Sequence, residues 1–169
     1  MENIANPSRR RLFKGKIHQA NVLRLPWVIS EQVFIDQCTQ CNHCVDICET
    51  DIIVKDEQGY PRVDFSLGEC TFCQKCHQSC EQPLFVEHIE NQKPWPISIE
   101  ISDNCLAKNN IFCQSCRDEC EANAINFSYL VNGEPSVIPQ PTIDLDKCTQ
   151  CGACVSSCPP SVITTHFNV

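Results

Sequence analysis

At 169 residues with 16 cysteines, the chain uses cysteine at several times the ordinary rate. Aromatic residues make up only 7% and glycines number 5, so two small modules held by disulfides or metals fit the length better than one large apolar core. The formal charge of −8 argues against a nucleic-acid-binding surface, and no apolar run approaches the roughly 20 residues of a membrane span.

The chain opens on a basic stretch, Ser8-Arg9-Arg10-Arg11-Leu12-Phe13-Lys14, which has the form of a twin-arginine export motif. An export signal continues into an apolar segment of about 7–15 residues, whereas Lys16, His18, Gln19 and Arg24 interrupt the stretch that follows. Export is therefore rejected, and residues 1–30 are expected to form a basic, flexible arm on a chain that stays in the cytoplasm. Arg9, Arg10 and Arg11 are the candidate partner-binding residues, on a segment that orders when it docks.

The first cysteine run follows: Cys38, Cys41, Cys44 and Cys48. Residues 51–65 hold two short strand-like runs around Gln58-Gly59 and are expected to form a hairpin. The second run is Cys70, Cys73, Cys76 and Cys80, with a short strand expected over 83–88. Residues 91–96, with two prolines, mark the expected module boundary. Ile97-Ser98-Ile99-Glu100-Ile101 alternates as a half-buried strand does. The third group is Cys105, Cys113, Cys116 and Cys120, its first gap stretched to seven residues. A second hairpin is expected over 124–138, turning at Asn132-Gly133. The fourth run is Cys148, Cys151, Cys154 and Cys158, and a strand is expected over 161–167. An order of cysteine run, short helix and strand that recurs in this way is itself a signature. It predicts an α+β fold of two ferredoxin-like modules in tandem, residues 31–92 and 97–169.

Sixteen cysteines admit disulfides, zinc or iron–sulfur clusters. Disulfide scaffolds belong to oxidising compartments, and zinc sites favour two separated C-x2-C knuckles, often mixed with histidine. Three of the four groups instead read C-x2-C-x2-C-x3-C, the run of bacterial four-iron clusters, in which the fourth cysteine serves the other cluster of its module. Four [4Fe–4S] clusters are therefore predicted, with all sixteen cysteines as ligands. Pairing runs one with two and three with four is the shorter closure; pairing one with four and two with three remains the alternative. Each oxidised cluster with its thiolates carries about −2, which brings the loaded protein to roughly −16.

The remaining chemistry-bearing residues have plain explanations. His43 and His77 sit inside cysteine runs already complete in thiolates. Asn126-Phe127-Ser128 fits a glycosylation pattern that has no use in the cytoplasm. No G-x-G-x-x-G nucleotide fingerprint occurs, and no catalytic centre is expected.

Four such cysteine groups, the stretched third group and the Ser8-Arg9-Arg10-Arg11-Leu12-Phe13-Lys14-Gly15 start without an export core resemble the NapF family, the ferredoxin-type accessory proteins of the periplasmic nitrate reductase system. The resemblance covers residues from about 8 to 166. It implies a cytoplasmic protein that meets the nitrate reductase catalytic subunit before its export and helps to load that subunit's iron–sulfur cluster or to poise its redox state. The alternative is an electron-transfer subunit passing electrons to a reductase. Ferredoxin runs usually end Cys-Pro, yet Glu49, Glu81 and Glu121 follow the first three groups and only Cys158-Pro159 conforms, a departure that predicts looser, more labile clusters.

Overall fold

A computed structural model of the protein describes residues 22–90, 92–131 and 133–168. Arg9, Arg10 and Arg11 lie outside the described residues.

Residues 22–30, expected to belong to the arm, are instead built into the first half. Leu23 and Leu25 are buried, and Arg24 is only 7% exposed. The Leu23 carbonyl accepts from the Val63 amide at 2.7 Å, and the Trp27 carbonyl accepts from the Val86 amide at 3.0 Å. Val28 forms an antiparallel bridge with Phe85, all that remains of the strand expected over 83–88. Arg24 broke the apolar run in the sequence, but its charge is neutralised inside the fold. Its guanidinium forks onto both Glu31 oxygens and reaches Asp56 Oδ2 at 2.8 Å and the Pro61 carbonyl at 3.0 Å. It also lies 5.1 Å from the centroid of the Phe34 ring.

Helix α1 (Glu31–Gln37) starts at Ser30, whose Oγ accepts from the Val33 amide at 3.2 Å, with Glu31 against the positive end of the helix dipole. It buries Phe34 and Ile35 and stops at Cys38, whose amide still donates to the Phe34 carbonyl, so the helix delivers the first cysteine. Strands β1 (Ile53–Lys55) and β2 (Pro61–Val63) pair antiparallel, Ile53 opposite Val63, through a turn in which Gly59 holds φ +84°.

The second half pairs β3 (Ile97–Ile101) with the chain-terminal β6 (Ile163–Phe167) over five residues. Between them, β4 (Ile125–Val131) pairs with β5 (Glu134–Ile143). The hairpin was expected to end at 138; β5 continues to Ile143 through Pro139 and Pro141. A two-stranded ribbon leaves each strand one unladdered side, where a missing amide proton costs nothing.

One core gathers Leu25, Phe34, Ile52, Phe65 and Trp95, and takes in Ile97, Val155 and Phe167 from the second half. A smaller one holds Ile99, Ile101, Ile125 and Ile163. Within the expected boundary, Trp95 anchors the chain in the fold. Trp95 is buried, its indole donates to the Arg24 carbonyl at 2.8 Å, and its ring meets Phe65 edge-on at 5.3 Å.

Candidate metal centres

The local geometry of the runs explains how closely spaced thiols can converge. In three of them the residues on both sides of the middle cysteine take left-handed backbone: Gln40 and Asn42 around Cys41, Phe72 and Gln74 around Cys73, Gln150 and Gly152 around Cys151. Each non-glycine residue there costs about 1–2 kcal/mol. Strain of this kind persists where the surroundings over-determine it, most often at functional sites. One-turn helices follow directly: α2 (His43–Asp46), α3 (Lys75–Gln78) and α5 (Ala153–Ser156). The stretched third group reaches the same end differently. A 3₁₀ turn (Ala107–Asn109) ending at left-handed Asn110 takes up the extra residues, and α4 (Ser115–Asp118) follows.

Two sets of four thiols line common cavities, each taking three cysteines from one run and the fourth from the other run of the same half, and the charge neighbours of Cys70, Cys76 and Cys116 are consistent with the same grouping for the other eight. Burial pushes the Cys44 thiol up to about 12, and the charges of Cys38, Cys41 and Cys80 add to it. Those four define site I. Cys70, pushed up to about 11 by burial, has Cys73 and Cys48 as neighbours, and Cys76, at about 12, has Cys70 and Cys73; with Cys48 these form site II. Around Cys116, at about 11 through burial, lie Cys105, Cys113 and Cys158, giving site III. Around Cys154, at about 12 for the same reason, lie Cys148, Cys151 and Cys120, giving site IV. Of the two pairings the sequence allowed, the described residues adopt one with two and three with four.

Site I surrounds a small cavity lined by all four of its cysteines together with Leu25, Phe34 and Phe85. Site IV surrounds another, again lined by all four, with Ile99, Ile125 and Ile143. Four thiolates on one zinc ion at about 2.3 Å would crowd to about 3.8 Å from one another. Among the described residues, no group of three or more His, Cys, Asp or Glu side chains is gathered to hold a single ion. Sulfur donors in fours, walled by apolar side chains, match the thiolate ligation of a [4Fe–4S] cluster. Buried thiols with raised pKa values stay protonated until positive metal draws the proton off. The Gln40 amide donates to Cys38 Sγ at 3.4 Å and the Ala124 amide to Cys120 Sγ at 3.3 Å, the kind of bond that tunes cluster potential.

Other sequence features take structural places. His77 packs its ring on Phe85 at 4.8 Å, and His43 is exposed. Glu49, standing where proline is usual, forms an ion pair with Lys75 that ties run one to run two, while Glu81 and Glu121 are exposed. Sequence reasoning missed Arg24 and the contact between halves, in which the Cys70 amide donates to the Cys151 carbonyl at 2.8 Å. No residue type announces a backbone hydrogen bond.

Comparison with known proteins agrees with this chemistry. A 4Fe-4S dicluster domain matches residues 111–162 and a 4Fe-4S binding domain residues 35–51. The chain is 41% identical to the ferredoxin-type protein NapF of Haemophilus influenzae over 96% of both proteins. It belongs to the NapF family. Identity to NapF of Escherichia coli is 38%, over 95% of this chain and 94% of that one. A ferredoxin-type protein of methylamine utilization, MauM of Methylophilus methylotrophus, is 25% identical over 92% of this chain and 84% of its own length. As a member of the NapF family the protein is a ferredoxin-type, 4Fe-4S-binding iron–sulfur protein. Among the described residues, no helix is long and apolar enough to cross a membrane.

Proposed function

We propose that sites I to IV each hold one [4Fe–4S] cluster, in two tandem ferredoxin-like modules. We further propose that the protein acts in the cytoplasm on the immature catalytic subunit of a periplasmic nitrate reductase, before that subunit is exported. There it would assist insertion of the subunit's own iron–sulfur cluster, or poise its redox state, without a catalytic centre of its own. The observation that carries this reading is the exposure of Cys41 in site I and Cys73 in site II, while the other fourteen cysteines are wholly or partly buried. A cluster that is handed on must be reached by the acceptor's thiolates, and attack proceeds at accessible sulfur. Arg9, Arg10 and Arg11 are proposed to dock the partner, complementing an otherwise acidic body.

A second reading, an electron-transfer subunit, is favoured by the contact between sites II and IV through Cys70 and Cys151. The two separate in one experiment. Anaerobically loaded protein with about sixteen labelled irons is mixed with the iron-free catalytic subunit. Transfer of label is expected, and it is expected to weaken when Arg9, Arg10 and Arg11 are replaced by glutamine. Reduction of a preloaded subunit with no iron movement would overturn the assembly role in favour of electron transfer.

A further inference from the structure

We infer that the four cysteine sites form a single line, in the order I–II–IV–III, and that the peptide hydrogen bond from the Cys70 amide to the Cys151 carbonyl is where that line crosses between the halves. The inference rests on the proposed loading of sites I to IV, and its test separates the two.

Three joints make the line. In the first half, α2 and α3 pack together. They carry Cys44 of site I and Cys76 of site II. Run one also bridges the two sites covalently, Cys44 belonging to site I and Cys48 to site II. In the second half, α4 and α5 repeat this contact. They carry Cys116 of site III and Cys154 of site IV, and run three passes from Cys116 to Cys120 of site IV.

The third joint lies between the halves. Cys70 belongs to site II and Cys151 to site IV, and 2.8 Å separates the amide nitrogen of one from the carbonyl oxygen of the other. With one joint inside each half and one between the halves, sites I and III stand at the two ends.

The crossing is held by first-half side chains packed against run four itself. Gly152, at φ +87°, presses on the Phe65 ring so closely that a Cβ there would come within 2.1 Å of it. Phe65 is backed edge-on by Trp95 at 5.3 Å. Gln150 is 3% exposed, and its amide donates to the Ile97 carbonyl. A contact of this kind keeps two backbone segments in register. With clusters bound, one electron could cross it, the giving site being oxidised by one electron and the receiving site reduced by one. The line would then carry an electron from a low-potential one-electron donor at one end to a one-electron acceptor of higher potential at the other.

The test uses the full chain, loaded anaerobically and reduced with dithionite, read by electron paramagnetic resonance. Cys38→Ser, Cys41→Ser, Cys113→Ser and Cys116→Ser together empty sites I and III and leave about eight irons. The expected spectrum is split and broadened, with the relaxation rate raised severalfold by the neighbouring spin. Cys70→Ser, Cys73→Ser, Cys148→Ser and Cys151→Ser leave sites I and III, whose signals are expected to be independent. Eight irons at sites II and IV with a simple sum of two isolated spectra would overturn the inference. A protein that keeps its fold but binds no iron at those sites would instead overturn the cluster assignment beneath it. If the multiple variants do not fold, Phe65→Leu in the otherwise intact protein with about sixteen irons decides. The smaller side chain no longer fills the contact between Gly152 and Trp95, so coupling between halves should weaken while splitting within each half persists. A spectrum identical to the unsubstituted protein's would also overturn the crossing.

Discussion

In the first half the cysteine runs lean on large side chains, Phe34, Tyr60, Phe65, Phe85 and Trp95, and on the buried ion cluster around Arg24. The second half surrounds its runs with four isoleucines, Ile99, Ile101, Ile125 and Ile163, and relies on longer strands, a five-residue β3–β6 ladder where the first half has one bridge between Val28 and Phe85. Both supports gather thiols in the same way, three from one run and one from its partner. Cysteine geometry is therefore set inside the runs and tolerates different scaffolds around them. What differs is how each half should behave when its metal is removed, since apolar area supports a fold without iron and a thin strand pair does not.

Chelation under anaerobic conditions should give the largest contrast. Iron is expected to leave first from sites I and II, through exposed Cys41 and Cys73, in a phase distinct from the rest. Once all iron is gone, hydrogen exchange should show β3 and β6 unprotected while amides of α1 and its neighbours retain slow exchange. Equal protection in both halves of the iron-free protein would break the comparison.

Next in size is Arg24→Ala. It removes the partner of Asp56, whose side chain is 3% exposed, and breaking a buried pair by deleting one member costs about 3–5 kcal/mol. Denaturant unfolding of the loaded protein should lose stability in the first half, with the sites III and IV absorption persisting to higher denaturant than sites I and II. Uniform loss would show instead that the halves unfold as one unit.

The smallest effect concerns acid. Bonds from the Ser66 hydroxyl and amide, with Arg62 beside it at 3.0 Å, hold the Asp64 carboxyl below its usual value despite partial burial. A carboxylate depressed in the folded state contributes stability that is fully present above its unfolded pKa of about 3.9, and that contribution is lost as pH falls through the folded value. Asp64→Asn should therefore lower the thermal midpoint slightly at pH 7 and leave it less changed near pH 3, by scanning fluorimetry. An undiminished difference at pH 3 would remove Asp64 from the acid response.

Much of the site chemistry was legible because it is local. The C-x2-C-x2-C-x3-C spacing carries its own turns, and the strands Ile97–Ile101 and Ile163–Phe167 follow from alternation and from apolar content. Element limits were less legible. The arm was drawn to residue 30 because Arg24 reads as a charge in an apolar run, and only Glu31 and Asp56, 7 and 32 residues away, make it a core residue. The second hairpin runs past its expected end at 138, because Pro139 and Pro141 fit a two-stranded ribbon that leaves one edge of each strand free.

By itself, then, the amino-acid order determined the ligand type, the grouping by fours and the expected cluster class, because these depend on contacts a few residues apart along one loop. The tertiary structure alone brings Cys80 beside run one and Cys120 beside run four. It also decided where the halves touch, because Cys70 against Cys151 and Phe65 against Gly152 bring together backbone and ring about 80 residues apart in sequence, a proximity that long-range packing creates.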